Sequence, residues 1–174
     1  MAVANIDGLI VTVPYKARAA RLAHRLGPTA RRIGALNALR READGTWSGD
    51  MFDGAGFVRA AQRKGETLRG RKVALFGAGG AGSAIACELA SAGVVALSII
   101  DPQRDRATAL AAALGDAFPG CRIEPADASS NIIPASIAIN DISRSGCSGG
   151  HTVSQRLPGP IFASVCTAKP SLLT

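Results

Sequence analysis

"KVALFGAGGAGSAIACELASAG", residues 72–93, decides the fold. It reads as a strand, a glycine turn and a helix. Gly77, Gly79 and Gly82 stand in G-x-G-x-x-G register between the apolar strand and the helix. The first glycine permits a tight turn, the second lets the backbone approach a pyrophosphate, and the third lets helix and strand pack closely. The start of the helix adds N–H groups and a partial positive charge that suit phosphates. Asp101 closes the next strand, about 20 residues beyond the last glycine, where a carboxylate suits both hydroxyls of a ribose. The arrangement implies a dinucleotide held by Gly77, Ala78, Gly79, Gly80, Ala81, Gly82 and Asp101. The bare alternative is a structural turn with no ligand. Asp101 favours NAD over NADP because it repels a 2′-phosphate, and Arg104 and Arg106 lie close enough to soften that preference.

Outward from this stretch the strand and helix signals alternate. "VVALSIID" is a second strand and "PQRDRATALAAALG" a helix with Pro102 near its start. "CRIEPAD" and "ASIAIN" are shorter strands. Alternation of this kind implies parallel pairing with right-handed crossovers. Upstream, "DGLIVTVPYK" predicts a buried strand over residues 8–13, stopped by Pro14, which cannot donate to a ladder. Alanines and arginines at helical spacing predict a helix from Tyr15 to about Leu26, ended by Gly27-Pro28. "ALNALRR" and "TWSGD" can pair as short strands around Asp44-Gly45, a hairpin signal. "DGAGFVRAAQRKG" reads as a helix with Asp53 near its start. The polar "TLRGRK" is the best boundary, giving residues 1–68 and 69–174 as two domains. "DISRSGCSGGHTVSQRLPGP" has no clear period, so the C-terminal part of the second domain is expected to be irregular or incomplete.

The 174 residues suffice for one full domain or parts of two, and 47% hydrophobic content fills a core. Aromatic residues make up only 4%, which leaves little for a nucleic-acid stacking platform. The formal charge is +7, mostly from arginines before Gly70 that form no single run. A basic surface of this kind attracts a small carboxylate or a phosphorylated cofactor as well as nucleic acid. Of the 4 cysteines none forms a C-x-x-C pair. Cys147 and His151 alone are weak ligands for zinc, so no metal is expected. No apolar run is long enough to span a bilayer and no signal peptide is seen, which makes a reducing cytoplasm the simplest compartment.

Four stretches, in order, resemble the shikimate dehydrogenase family. "GLIVTVPYK" is similar to its N-V-T-x-P-x-K, "GALNAL" to its G-A-x-N-T, "SGDMFDGAGF" to its G-x-N-T-D-x-x-G, and "GAGGAG" to its cofactor loop. The resemblance runs from about Asp7 to Asn140 and returns faintly in "VCTAKPSLLT". It implies an α/β fold: a Rossmann-type parallel-sheet domain beside a partial substrate-binding (catalytic) domain. It also implies NAD- or NADP-dependent hydride transfer between 3-dehydroshikimate, or a related cyclic hydroxy acid such as quinate, and its alcohol. Lys16 falls on the catalytic lysine, Asp53 on its partner aspartate, and Thr12 and Asn37 on residues that hold substrate. Asn140 marks what is left of a further cofactor segment. The chemistry is reasonable by itself, since a ring alcohol losing hydride needs a group to take its hydroxyl proton.

The departures from the family pattern carry expectations too. Ile10, Ala38 and Met51-Phe52 replace polar residues of the motifs, which suits a shikimate relative better than shikimate itself. The chain starts near the first motif and stops early, so a truncated member, or a reading frame shifted near Asn140, stands beside ordinary divergence. A monomer or homodimer is expected, with a small-molecule substrate and neither nucleic acid nor membrane as partner. The alternatives are an inactive dinucleotide-binding remnant of the family and a basic nucleic-acid-binding module.

Overall fold

The computed structural model describes residues 5–127 and the backbone of residues 137–141 and 161–165. Two sheets divide the elements between them. The first holds β1 (Gly8–Ile10), β2 (Arg25–Leu26), β3 (Ala38–Arg41) and β4 (Trp47–Asp50), in the order β1-β3-β4-β2. Its helices are α1 (Lys16–Leu22), α2 (Pro28–Ile33) and α3 (Asp53–Arg63). β3 and β4 form the expected antiparallel hairpin. Gly45 supplies the positive φ of its turn, at 79°, and the Asp44 carboxylate accepts the Thr46 N–H and hydroxyl at 2.9 and 2.5 Å.

The second sheet begins with β5 (Lys72–Phe76), followed by α4 (Gly80–Ser91), β6 (Ala96–Ile100), α5 (Arg104–Gly115) and β7 (Arg122–Pro125). β8 (Ile137–Asp141) and β9 (Ile161–Val165) complete it, in the order β7-β6-β5-β8-β9 with every pair parallel. This is a mixed α/β fold with a Rossmann-type parallel sheet. β5 is central, and the strand order reverses there. In open parallel sheets the crevice outside the strand C-termini at such a reversal is where ligands bind. The glycine turn follows β5 at this point. Leu75, Ile85, Leu89, Leu97, Ile99 and Leu114 are fully buried around it. A smaller cluster of Ala19, Ala20, Ala30, Leu36 and Leu39 lies under α1 and α2. Among the described residues no helix is long and apolar enough to cross a membrane.

Three segments differ from their sequence reading. The first strand covers only Gly8–Ile10, and it is not buried: Ile10 is 85% exposed and Val13 38%. β1 pairs with β3 at the edge of its sheet, so one flank of its apolar run faces outward. The helix predicted to reach Leu26 stops at Leu22. The chain then extends, and Arg25 and Leu26 pair in parallel with Ser48 and Gly49. Sheet pairing here overrides helix propensity. Gly27-Pro28 opens a helix instead of closing one, with Pro28 in the first turn of α2. A proline there costs nothing, because its missing N–H would have had no helical partner. The cap is supplied from afar: Asp50 accepts the Ala30 N–H at 2.7 Å. Gly27 is required beside it, since a Cβ there would overlap the Asp50 carboxyl. The strand β9, at the far edge of the second sheet, lies in a region the sequence reading left irregular.

Candidate active site

Lys16 is the first residue of α1 and only 6% exposed. Its Nζ donates to Asp53 Oδ2 at 2.5 Å. Asp53 opens α3, and its Oδ1 accepts from Asn37 Nδ2 at 2.6 Å. Asn37 Oδ1 in turn accepts the Phe52 N–H at 2.9 Å. This last bond fixes the amide, so that its Nδ2 faces the carboxylate. Backbone bonds hold the Lys16 and Asn37 segments together. Leu36 N–H donates to the Lys16 carbonyl at 3.1 Å and Val11 N–H to the Asn37 carbonyl at 2.7 Å. A lysine, a carboxylate and an amide are thus fixed by elements far apart in the chain. Burying the lysine is tolerable because its charge is paired and further hydrogen-bonded through Asp53.

The lysine stem crosses the glycine turn. A Cβ at Gly80 would lie 3.4 Å from Lys16 Cδ, in ordinary contact. A cleft of about 320 Å³ lies between the two halves, with Pro14, Lys16 and Ala35 on one side and Gly79, Ser83 and Arg106 on the other. α4 begins at this cleft with no side-chain cap and no acidic residue in its first turn, which leaves its positive end for an anion. Gly77 adopts φ 108°, a conformation that favours glycine. Its N–H donates to the Ile100 carbonyl at 2.7 Å. The Ala78 N–H donates to Asp101 Oδ2 at 2.8 Å, and Asp101 Oδ1 accepts the Gln103 N–H at 2.8 Å. The turn, the bare helix end and the side-chain-free glycines fit the pyrophosphate of a dinucleotide.

The other expected residues fall as follows. Thr12 is exposed and lines a different groove, with Tyr15 and Trp47. Its side chain makes no hydrogen bond to Lys16 or Asp53. Asn140 lies on β8 opposite Phe76, and its side chain lies outside the described residues, as do Cys147 and His151. Arg104 forms an ion pair with Asp127. Arg106, noted in the sequence only as a neighbour of Asp101, is half-buried and lines the cleft. Gly54 carried no signal at all. It packs directly on α4, where a Cβ would overlap the Ala84 carbonyl. The surrounding glycines and alanines hid this demand, because a close crossing of helices distant in sequence leaves no local pattern.

The profile of the shikimate dehydrogenase substrate binding domain matches residues 1–39. The shikimate dehydrogenase (NADP(+)) of Xanthomonas euvesicatoria pv. vesicatoria is 47% identical over 110 residues, 63% of this chain. Over these residues the chain resembles the shikimate dehydrogenase family. It spans 38% of the length of that Xanthomonas relative. Two solved structures of the family superimpose on it with a TM-score of 0.70 each. Shikimate 5-dehydrogenase from Listeria monocytogenes, in complex with shikimate and NAD, is 28% identical, covering 78% of this chain and 50% of its own. Quinate dehydrogenase from Corynebacterium glutamicum, in complex with NAD, is 30% identical, covering 78% and 49%.

Proposed function

We propose that this chain carries the dinucleotide turn and the proton-transfer pair of a shikimate dehydrogenase-type oxidoreductase. Residues 1–68 serve as the substrate side and 69–174 as the dinucleotide side. The observation that carries this reading is the buried Lys16 paired with the half-buried Asp53, with the lysine stem lying on Gly80. The pair is therefore next to the place where a dinucleotide enters. When bound, the dinucleotide takes up or supplies the hydride. The residues of the chain handle the proton. In alcohol oxidation the Lys16–Asp53 pair takes the hydroxyl proton as C–O becomes C=O, and the Asp53 carboxylate stabilises the Lys16 ammonium. In reduction the ammonium returns that proton to the oxygen. Asn37 keeps the Asp53 carboxylate turned toward the lysine.

The substrate is a cyclic hydroxy acid of the shikimate or quinate kind. Ile10 and Ala38 are paired across β1 and β3, and Phe52 is exposed at the start of α3. These apolar groups stand where the family motif has hydrogen-bonding ones, which favours a relative of shikimate over shikimate itself. The dinucleotide is NAD ahead of NADP, because the Asp101 carboxylate opposes a 2′-phosphate and Arg104 is already paired with Asp127. The NADP(+) in the name of the Xanthomonas relative points the other way.

Turnover of shikimate and of quinate with each dinucleotide, followed by nicotinamide absorbance, tests the reading. NAD-dependent oxidation that vanishes in Lys16→Ala is expected. Absence of both turnover and dinucleotide binding by calorimetry overturns it. Tighter binding of NADP than NAD overturns the choice of dinucleotide alone.

A further inference from the structure

We infer that Asp101 is a positioning residue whose main task is to brace the glycine turn, beyond any contact with a ribose. The inference rests on the dinucleotide reading above. Each carboxylate oxygen has two lone pairs, so a backbone bond at each still leaves room for a ribose hydroxyl. In this chain both oxygens are engaged by the backbone. Oδ2 accepts the Ala78 N–H and Oδ1 the Gln103 N–H, each at 2.8 Å. One side chain thus ties the glycine turn to the segment that leads into α5.

The bond to Ala78 is the second of two successive ties. The Gly77 N–H is already held by the Ile100 carbonyl at 2.7 Å. Gly77 has φ 108°, and a glycine has more backbone freedom than any other residue. Without a restraint on the next amide, the turn loses the geometry that aims the helix end at a phosphate. The Ala78 N–H is therefore committed to Asp101, and the phosphate donors are the amides from Gly79 onward. A hydrogen bond to a charged acceptor is stronger than a neutral one, which suits a brace beside the cleft.

Two variants separate bracing from charge. Asp101→Asn keeps an oxygen for the Ala78 N–H and removes the charge. Asp101→Ala removes both. Hydrogen exchange of the full chain without dinucleotide is read at Ala78, with Leu97 and Ile99 as probes of the whole sheet. Calorimetry with NAD, NADP and ADP is read in parallel.

Bracing predicts that Asp101→Ala exchanges at Ala78 at least about tenfold faster and binds all three nucleotides at least about tenfold more weakly. It predicts that Asp101→Asn stays within about threefold of wild type at Ala78 and binds NADP at least as well as wild type. If Asp101→Ala loses protection throughout the sheet while Asp101→Asn does not, bracing is again supported, because the acceptor oxygen is what distinguishes them. Unchanged exchange at Ala78 in Asp101→Ala, or loss of its protection in Asp101→Asn, overturns the proposal. If the wild-type chain binds no nucleotide, the dinucleotide reading fails, while the exchange data still decide whether Asp101 braces the turn.

Discussion

The two halves of the molecule solve the same problem in opposite ways. The glycine turn is built from neighbours in sequence: β5, Gly77 to Gly82 and α4 follow one another without a break. The Lys16 pair is built from Lys16, Asn37 and Asp53, which meet only when α1, β3 and α3 are all in place. The parallel sheet encloses a large apolar core, whereas the smaller sheet rests on a cluster dominated by alanines. The difference teaches that the glycine turn is locally encoded and well buried, while the Lys16 cluster depends on long-range contacts.

The largest effect separating the halves is expected from Lys16→Ala. Losing an acid–base group lowers the chemical rate by roughly 10²–10⁴. Dinucleotide affinity should change little, because the turn keeps its own bonds. Turnover at saturating dinucleotide, set beside calorimetry, checks both, and wild-type rates in the variant refute the role of Lys16.

Truncating a leucine in each core sharpens the contrast next. Leu97→Ala, fully buried in the parallel sheet, should cost about 2–5 kcal/mol. Leu39→Ala, 7% exposed in the smaller cluster, should fall at or below the low end of that range. Urea unfolding of both variants makes the comparison, and a greater loss at Leu39 breaks it.

Gly54→Ala tests whether the halves depend on each other. The added methyl would overlap the Ala84 carbonyl, so α3 must move away from α4. Overpacking of this kind costs about 1–3 kcal/mol. Because Asp53 precedes Gly54, kcat should fall more than dinucleotide affinity does. Unchanged kcat and stability would show that the helix contact is not needed.

Asp50→Ala should destabilise by about 1–2 kcal/mol, the scale of a lost N-cap. The cap of α2 comes from β4, so amide exchange at Ala30 should quicken while β5 and β6 keep their protection. Equal loss in both sheets would contradict the separation of the halves.

The smallest effect belongs to the hairpin turn. Bonds from the Thr46 hydroxyl and N–H lower the Asp44 carboxyl from its ordinary value to about 2. A lowered carboxyl supports the fold above its unfolded value and ceases to do so as pH falls through the folded one. Its support should therefore fade between about pH 4 and pH 2. The Thr46 amide resonance should titrate with a midpoint near the lower figure, and a midpoint near 4 would show that the turn bonds do not hold in solution.

What the sequence by itself determined is the set of features made by neighbouring residues. Strand, glycine turn and helix over residues 72–93 follow from apolar spacing and glycine register. The β3–β4 hairpin follows from Asp44-Gly45, and the family resemblance pointed to Thr12, Lys16, Asn37 and Asp53, of which Thr12 lines a different groove. What only the tertiary structure decided is where distant groups meet. β1 became an exposed edge strand because of its place in the sheet order. The helix after Tyr15 stopped at Leu22 because Arg25 and Leu26 found β4, and Gly27-Pro28 opened α2 because Asp50 arrived from another strand to cap it. Asp101 was legible as an acid at a strand end, but its bond to the Ala78 N–H was not. The physical reason is the same in each case. Propensity and periodicity act within a few residues, whereas pairing, capping and close packing are settled by partners that the chain brings together only on folding.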